Sequence, residues 1–327
     1  MQYFYAMTEA FSTPRIIGHY QGTEAGPLVV AIGSLHGNEP AGVVALEQLF
    51  DLLAEEPKIN PGFNFKGELL ALRGNLAASA INQRFIDQDL NRIWDDHRIA
   101  QLRADSSQAS SEEKELMELL DTIEIAIEES KPETVIILDL HTTTAEGGIF
   151  TITGDDVASL NLGAELFAPV IKGLLGGVSG TTLHYFSSHR FGSDIELRAL
   201  TFEAGSHQDP LSVDRALAAT INLLRGCGCV QEADVRTLHD ELLQRYAADL
   251  PRLTQLVYVH KIRATDEFQM LPNFKNFQVV EQHQIIARDK NGPIYAPRAG
   301  YILMPLYQQQ GAEGFFIVED FELSVAF

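Results

Sequence analysis

Residues 33–42 read GSLHGNEPAG, which sets His36 and Glu39 three residues apart, directly after the apolar run 28–32. Imidazole and carboxylate are both metal ligands, and a His-x-x-Glu pair on a strand-to-helix turn could hold one ion. The same pattern is common in loops that bind nothing, so the pair needs a third partner. His141 supplies one, because it closes the β-branched run ETVIILDL at 133–140. His36, Glu39 and His141 would make a two-histidine, one-carboxylate set, and catalytic zinc uses three protein ligands plus one open position. One zinc ion per chain is the expectation. Each residue could also be a hydrogen-bonded polar group at a strand end; their shared placement after apolar strands favours the metal.

Other chemistry-bearing residues fall nearby in the pattern. Asp139 precedes His141 by two, so on a strand both point to one face, and Asp139 could orient the imidazole or cap a neighbouring loop. Glu203 interrupts the apolar run ALTFEAG. Beside a water on a metal it would be a general base, and otherwise a salt-bridged buried acid. The loop RFIDQDLNR carries Arg84 and Arg92, whose planar forks match carboxylates. In the bland alternative they pair with Asp87, Asp89 and Asp95.

These positions require strands that end on one side of a sheet. PLVVAIG (27–33), GELLALRGN (67–75), ETVIILDL (133–140), GGIFTITG and LRALTFEAG (197–205) read as strands. Pro40 suits a first helical position, and the apolar spacing of 41–56 predicts a helix that stops before Pro57. Ser110 and Glu113 form a capping-box pattern that opens a helix to about residue 130. Further helices are expected at about 156–175 and over DPLSVDRALAATINLL. Alternation of this kind predicts an α/β fold with a mixed, mostly parallel sheet flanked by helices, whose ligands gather at the carboxyl ends of the strands. From 251 onward the runs are short and β-like. The chain is therefore read as a catalytic α/β domain, 1–250, and a small C-terminal β barrel or sandwich, 251–327.

Composition narrows the partners. With 24 Lys+Arg against 45 Asp+Glu in 327 residues, the formal charge is −21, which disfavours nucleic acid and anionic membrane as partners. The pair Cys227 and Cys229 offers no disulfide framework. Neither a signal peptide nor a membrane-length apolar stretch is apparent, so a cytoplasmic protein is expected. A homo-oligomer stays open.

Four stretches, HGNE, RFIDQDLNR, DLHTTT and FEAG, occur between residues 36 and 205. In this order they resemble the succinylglutamate desuccinylase/aspartoacylase family, which has a zinc-carboxypeptidase-like fold and a trailing β domain. The resemblance implies that His36, Glu39 and His141 bind zinc and that Glu203 is general base and then acid. It implies that Arg84 stabilises the oxyanion, that Asn91 and Arg92 hold the substrate carboxylate, and that Asp89 supports their loop. Family members carry Tyr-x-x-x-Arg upstream of the base. Here Tyr185 precedes Arg190 by five, so Arg190 is the candidate for reading the acyl side, but an acyl carboxylate does not follow. Arg198, by parity, faces away from Glu203. His184, His189 and His207 read as surface or structural histidines. The stretch IYAPRAGYILMPLYQQQG resembles a lipoyl-like piece, with no lysine at a hairpin tip to serve as a swinging arm, and Tyr307 to Gln310 are expected in loop packing.

The expected activity is a zinc-dependent amidohydrolase that removes the acyl group from a small N-acyl amino acid or related compound, through Glu-assisted attack of zinc-bound water. The rivals are a zinc carboxypeptidase acting on short peptides and a zinc-dependent binding protein without catalysis.

Overall fold

A computed structural model describes residues 13–186, 194–239 and 241–322. The chain opens with β1 (Ile16–Gln21) and β2 (Glu24–Gly33), then α1 (Ala41–Ile59), β3 (Lys66–Arg73) and the short α2 (Leu76–Ala80). After the arginine-bearing loop come α3 (Asp96–Ala104), α4 (Ser111–Ser130) and β4 (Thr134–Thr143). Next are β5 (Phe150–Thr153), α5 (Val157–Ala164), β6 (Val170–Lys172), α6 (Thr182–Phe186), β7 (Glu196–Ser206), α7 (Leu211–Gly226) and α8 (Leu242–Tyr246). The C-terminal strands are β8 (Leu253–Lys261), β9 (Gln269–Met270), β10 (Gln278–Val280), β11 (Ile285–Asp289), β12 (Gly292–Tyr295), β13 (Gly300–Leu303) and β14 (Glu313–Asp320).

The large sheet runs in the order β1-β3-β2-β4-β7-β5-β6-β8-β14-β13-β10. Its centre, β3-β2-β4-β7, is parallel, so those strands all end on the same side. Both faces are covered, and successive residues of a strand therefore enter opposite cores. Val30, Ile32 and Ile137 pack with Leu116, Leu120 and Ile123 of α4. Val29, Ala31 and Ile136 pack with Leu46 and Leu49 of α1 and Leu217 and Ile221 of α7. Truncating one of these to alanine would cost roughly 2–5 kcal/mol.

The C-terminal strands continue the sheet, since β8 pairs in parallel with β6 through Val170 and Leu253. A second, three-stranded sheet, β12-β11-β9, covers a third apolar cluster that includes Phe274, Ile286, Phe315 and Ile317. Among the described residues no helix is long and apolar enough to cross a membrane.

Two sequence expectations need correction. Helix α1 runs through Pro57 to Ile59. A proline in the last turn forfeits only one intrahelical bond, and the Asn60 amide closes the end on the Glu56 carbonyl at 2.8 Å. The helix expected over 156–175 is only α5; Phe167 has φ of 55° and Pro169 disfavours helix before it, so the chain turns into β6. The lipoyl-like stretch, 294–311, holds no lysine, as expected; Lys290 lies just before it, in the turn between β11 and β12. Its Nζ is held by the Thr265 carbonyl at 2.8 Å, which ties the amine down.

Candidate active site

The site begins where β2 ends. Ser34 takes a left-handed φ of 60°, and its hydroxyl donates to the Glu39 carbonyl at 2.9 Å. The Glu39 amide returns to the His36 carbonyl at 3.0 Å, closing a tight turn. Gly37 is required within it, because a Cβ there would lie 2.3 Å from the backbone of Ala78 and Ser79. Pro40 stands one position before α1, as its N-cap, rather than as its first residue.

This turn and the end of β4 bring His36, Glu39 and His141 together. One ligand atom from each lies within 4.8 Å of the others, and all three residues are buried. Glu39 bridges the two imidazoles: Oε1 is 2.9 Å from His36 Nδ1, and Oε2 is 3.0 Å from His141 Nδ1. The opposite ring nitrogens face other carboxylates, His36 Nε2 at 3.0 Å from Asp89 Oδ1 and His141 Nε2 at 2.8 Å from Asp139 Oδ2. Each imidazole thus lies between two acids. A cation held by the two Nδ1 atoms and Glu39 leaves each Nε2–H to donate to its acid, the usual support of a metal-ligating histidine. The donor set fits zinc.

Charges follow this arrangement. Burial alone would raise the Glu39 carboxyl, but His36 and His141 outweigh it and hold it well below the carboxylate range. Burial would lower the His141 imidazole, yet Asp139 and Glu39 hold it well above its ordinary value. Asp89 is likewise held low against burial, chiefly by Arg84 and then His36.

Glu203 lies on β7, paired in register with His141 on β4. Its Oε2 is buried without a hydrogen-bond partner among the described residues. Burial pushes its carboxyl up to about 8, opposed by His141 and reinforced by Glu39 and Asp139. Just beyond, Gly205 adopts φ of 97° and the β4–β7 register shifts. A side chain at Gly205 would be strained and would meet Arg215 Nη1 at 2.7 Å.

The loop between α2 and α3 adds the cations. Arg84 donates Nε and Nη2 to Asp89 Oδ2 at 3.2 and 2.9 Å, and its Nη1 stands 3.6 Å from Glu39 Oε1. Asn91 lies in a 3₁₀ turn capped by Asp89. Its amide oxygen accepts from the Thr182 backbone at 2.9 Å, and its nitrogen lies 3.4 Å from both Asp139 and His141. Arg92 Nη2 donates to Glu313 Oε2 at 2.9 Å. His36, Glu39, Arg84, Asn91, Arg92, His141 and Glu203 all line one cleft with an interior of about 120 Å³. Arg190 and His189 lie outside the described residues. Arg198 pairs with Glu196 at the opposite end of β7.

Several contributors escaped the sequence reading. Glu112, fully buried in the first turn of α4, accepts from the backbone of Ile86, Asp87 and Gln88 at 2.7, 3.0 and 3.2 Å and from Asn75 at 3.0 Å. It fixes the arginine loop; its position next to the capping box made it look like a helix-end acid. Glu313 reaches the cleft from β14, and nothing local marks it. His207 was read as surface or structural, yet it lies beside the site, with Nδ1 2.6 Å from Thr142 Oγ1 and burial lowering its imidazole. His184 is structural, held by Thr181 and the Leu175 carbonyl. In the C-terminal segment Leu306 and Gly311 line the cleft, while the Tyr307 hydroxyl donates to the Leu271 carbonyl in loop packing and Gln308 accepts from Asn38.

Fold and site together define an α/β protein with a buried His–Glu–His metal-type cluster at the carboxyl ends of parallel strands, and beside it an acid whose Oε2 has no partner among the described residues. The succinylglutamate desuccinylase/aspartoacylase catalytic domain matches residues 25–221, and the chain belongs to that family. A probable aspartoacylase from a Nostoc species is 28% identical over 149 residues, a match that spans 44% of this chain and 46% of that protein. A succinylglutamate desuccinylase from Pseudoalteromonas atlantica is 23% identical over 278 residues, spanning 81% of this chain and 73% of the relative. The solved succinylglutamate desuccinylase/aspartoacylase from Rhodobacter sphaeroides shares the fold, with a TM-score of 0.61 at 18% identity over 91% of this chain and 87% of that one.

Proposed function

We propose that the protein is a zinc-dependent amidohydrolase that releases the acyl group from a small N-acyl amino acid or related N-acyl compound. The observation that carries this reading is the unpaired, buried Glu203 Oε2 in one cleft with His36, Glu39 and His141. These three would hold the ion. Zinc bound there supplies a Lewis acid and makes water acidic enough to be a nucleophile near neutral pH.

The side chains divide the remaining work. Glu203 takes a proton from the attacking water and later delivers it to the departing nitrogen, so one carboxyl serves as base and then acid. Its raised pKa suits proton transfer near neutrality. Arg84 is clamped by Asp89 through Nε and Nη2, leaving Nη1 for charge that develops on the carbonyl oxygen. Asn91 and Arg92 are the candidates for the substrate carboxylate, and Arg190 for the acyl side. Asp89 and Asp139 hold the two imidazoles in place.

The reading includes a zinc-carboxypeptidase-like catalytic domain over 1–250 and a barrel-sandwich-like domain over 251–327; the separate apolar cluster around Ile286 and Phe315 supports that second core. The location in the reading is cytoplasmic. Steady-state assays of the zinc-loaded protein on N-acyl amino acids and on short peptides test the proposal. Hydrolysis of N-acyl amino acids is expected, and cleavage of peptides alone would make it a carboxypeptidase instead.

A further inference from the structure

The chain's two cysteines stand at the end of the sheet away from the metal-type cluster. Helix α7 stops at Gly226, and Cys227, Gly228 and Cys229 make the turn that follows. Cys227 lines an open cavity of about 430 Å³ with Pro27, Thr134, Glu196 and Arg198, at the amino ends of β2, β4 and β7. The backbone holds the pair together. Gly228 takes a left-handed φ of 79°, and the two sulfurs lie 3.5 Å apart. A Cβ at Gly228 would meet nothing within 4 Å, so glycine serves the turn's conformation there and not its packing. The Cys229 amide donates to the Leu224 carbonyl at 2.9 Å, and its carbonyl accepts from the Lys66 amide at 2.8 Å.

The two thiols differ in access. Cys227 is partly exposed and Cys229 is fully buried. The Cys229 thiol holds the Cys227 thiol below its ordinary value against burial, while Cys227 and burial push Cys229 up. An accessible thiol beside a shielded second one is the arrangement of an attacking and a resolving cysteine. A cross-link over one intervening residue removes little entropy from the unfolded chain, so the pair has little value as a structural staple. So small a ring would be strained, and strained, exposed disulfides are the readily reduced ones.

We propose that Cys227 and Cys229 form a dithiol–disulfide exchange site that low-molecular-weight disulfides oxidise through Cys227. The Cys227 thiolate attacks one sulfur of the small disulfide, whose S–S bond breaks, and the other half leaves as a thiolate. Cys229 loses its proton to solvent and attacks the Cys227 sulfur of the mixed disulfide, expelling the second half as a thiolate. The protein sulfurs close from 3.5 Å to the bond length of about 2.05 Å. Two protein thiols are oxidised, one small disulfide is reduced, and the two thiolates released take up the two protons. The inference does not depend on the amidohydrolase reading.

The test incubates the zinc-loaded full chain with glutathione disulfide and reads the intact mass. The chain has only two cysteines, so their bond appears as a loss of about 2 Da, and dithiothreitol should restore the mass. Cys229→Ser should stop at one glutathione adduct, on Cys227. Cys227→Ser should form its adduct at least ~10-fold more slowly, because the remaining thiol is buried. Circular dichroism checks the fold of both variants, and the wild-type result stands without them. A folded wild type that keeps its mass under conditions that oxidise the urea-unfolded chain would overturn the site. Equal adduct rates in the two serine variants would overturn the assignment of Cys227 as the attacking thiol. A stable adduct on the wild type, with no bond between the cysteines, would remove Cys229 as the resolving one.

Discussion

Glu203 stands directly across from His141 in the parallel pairing of β4 and β7, and its Oε2 has no hydrogen-bond partner among the described residues. Adjacent strands thus deliver a candidate ligand and a candidate base to the same point. A backbone register sets their separation, so no flexible loop has to find it.

Replacing Glu203 by glutamine should separate metal binding from turnover. Zinc content, measured by atomic emission on the purified variant, is expected to match the wild type. Turnover should fall by about 10²–10⁴-fold, the usual worth of a positioned general base. Wild-type turnover in the variant would remove Glu203 from that role.

The metal-free protein should show a pH signature of the same residue. The Glu203 pKa is raised from 4.5 to about 8 in the fold, mainly by burial. A raised folded pKa gives a contribution that is fully present below the unfolded value and is lost as pH rises toward the folded one. The wild type therefore loses this contribution between about pH 4.5 and 8, where glutamine has no proton to lose. Melting temperatures of the two metal-free proteins should diverge in favour of Glu203→Gln as pH rises across that window. A difference that stays constant with pH would contradict the buried, uncompensated acid.

Removing one ligand should remove the ion. His36→Ala and His141→Ala are each expected to lose stoichiometric zinc, and a chelator should lower the melting temperature of the wild type. An ion present at a thousandfold over its dissociation constant stabilises by about 4 kcal/mol. Identical melting curves with and without chelator would argue against a metal at this cluster.

Glu112→Ala should disturb the site without touching it. The substitution strands three loop amides and the Asn75 side chain, each of which donates to that carboxylate. Loss of hydrogen bonds to a charged acceptor costs on the order of 1.5–3 kcal/mol each, reduced here where water can enter. Urea unfolding should show lower stability, and hydrogen exchange should show faster opening at 86–88. Unchanged exchange there would mean the loop is held by something else.

The convergence of His36, Glu39, His141 and Glu203 was legible because each polar residue follows or interrupts an apolar strand, and a parallel sheet gathers strand ends by construction. The capping box at Ser110 and Glu113 was legible for a similar reason: its signal lies within four residues. The end of α1 and the break after α5 were not, because a terminal proline is tolerated when tertiary contacts favour helix, and Phe167 turns left-handed with no glycine to announce it. Glu313 was invisible for a different reason. Its partner is 221 positions away, and its own neighbours read as an ordinary strand. His207 was set aside as surface or structural because the turn after β7 has no local mark of proximity to Glu39.

The arginine loop cannot be treated as a transferable cassette. RFIDQDLNR owes its shape to a carboxylate outside itself, on a helix that begins after an intervening helix and connection. Grafted to another scaffold without an acid at the position of Glu112, it would carry the right letters and the wrong shape. In a comparison of sequences, the informative unit is the loop plus one distant acid, and a chain that keeps the first while losing the second should be suspected of having changed its use of the loop.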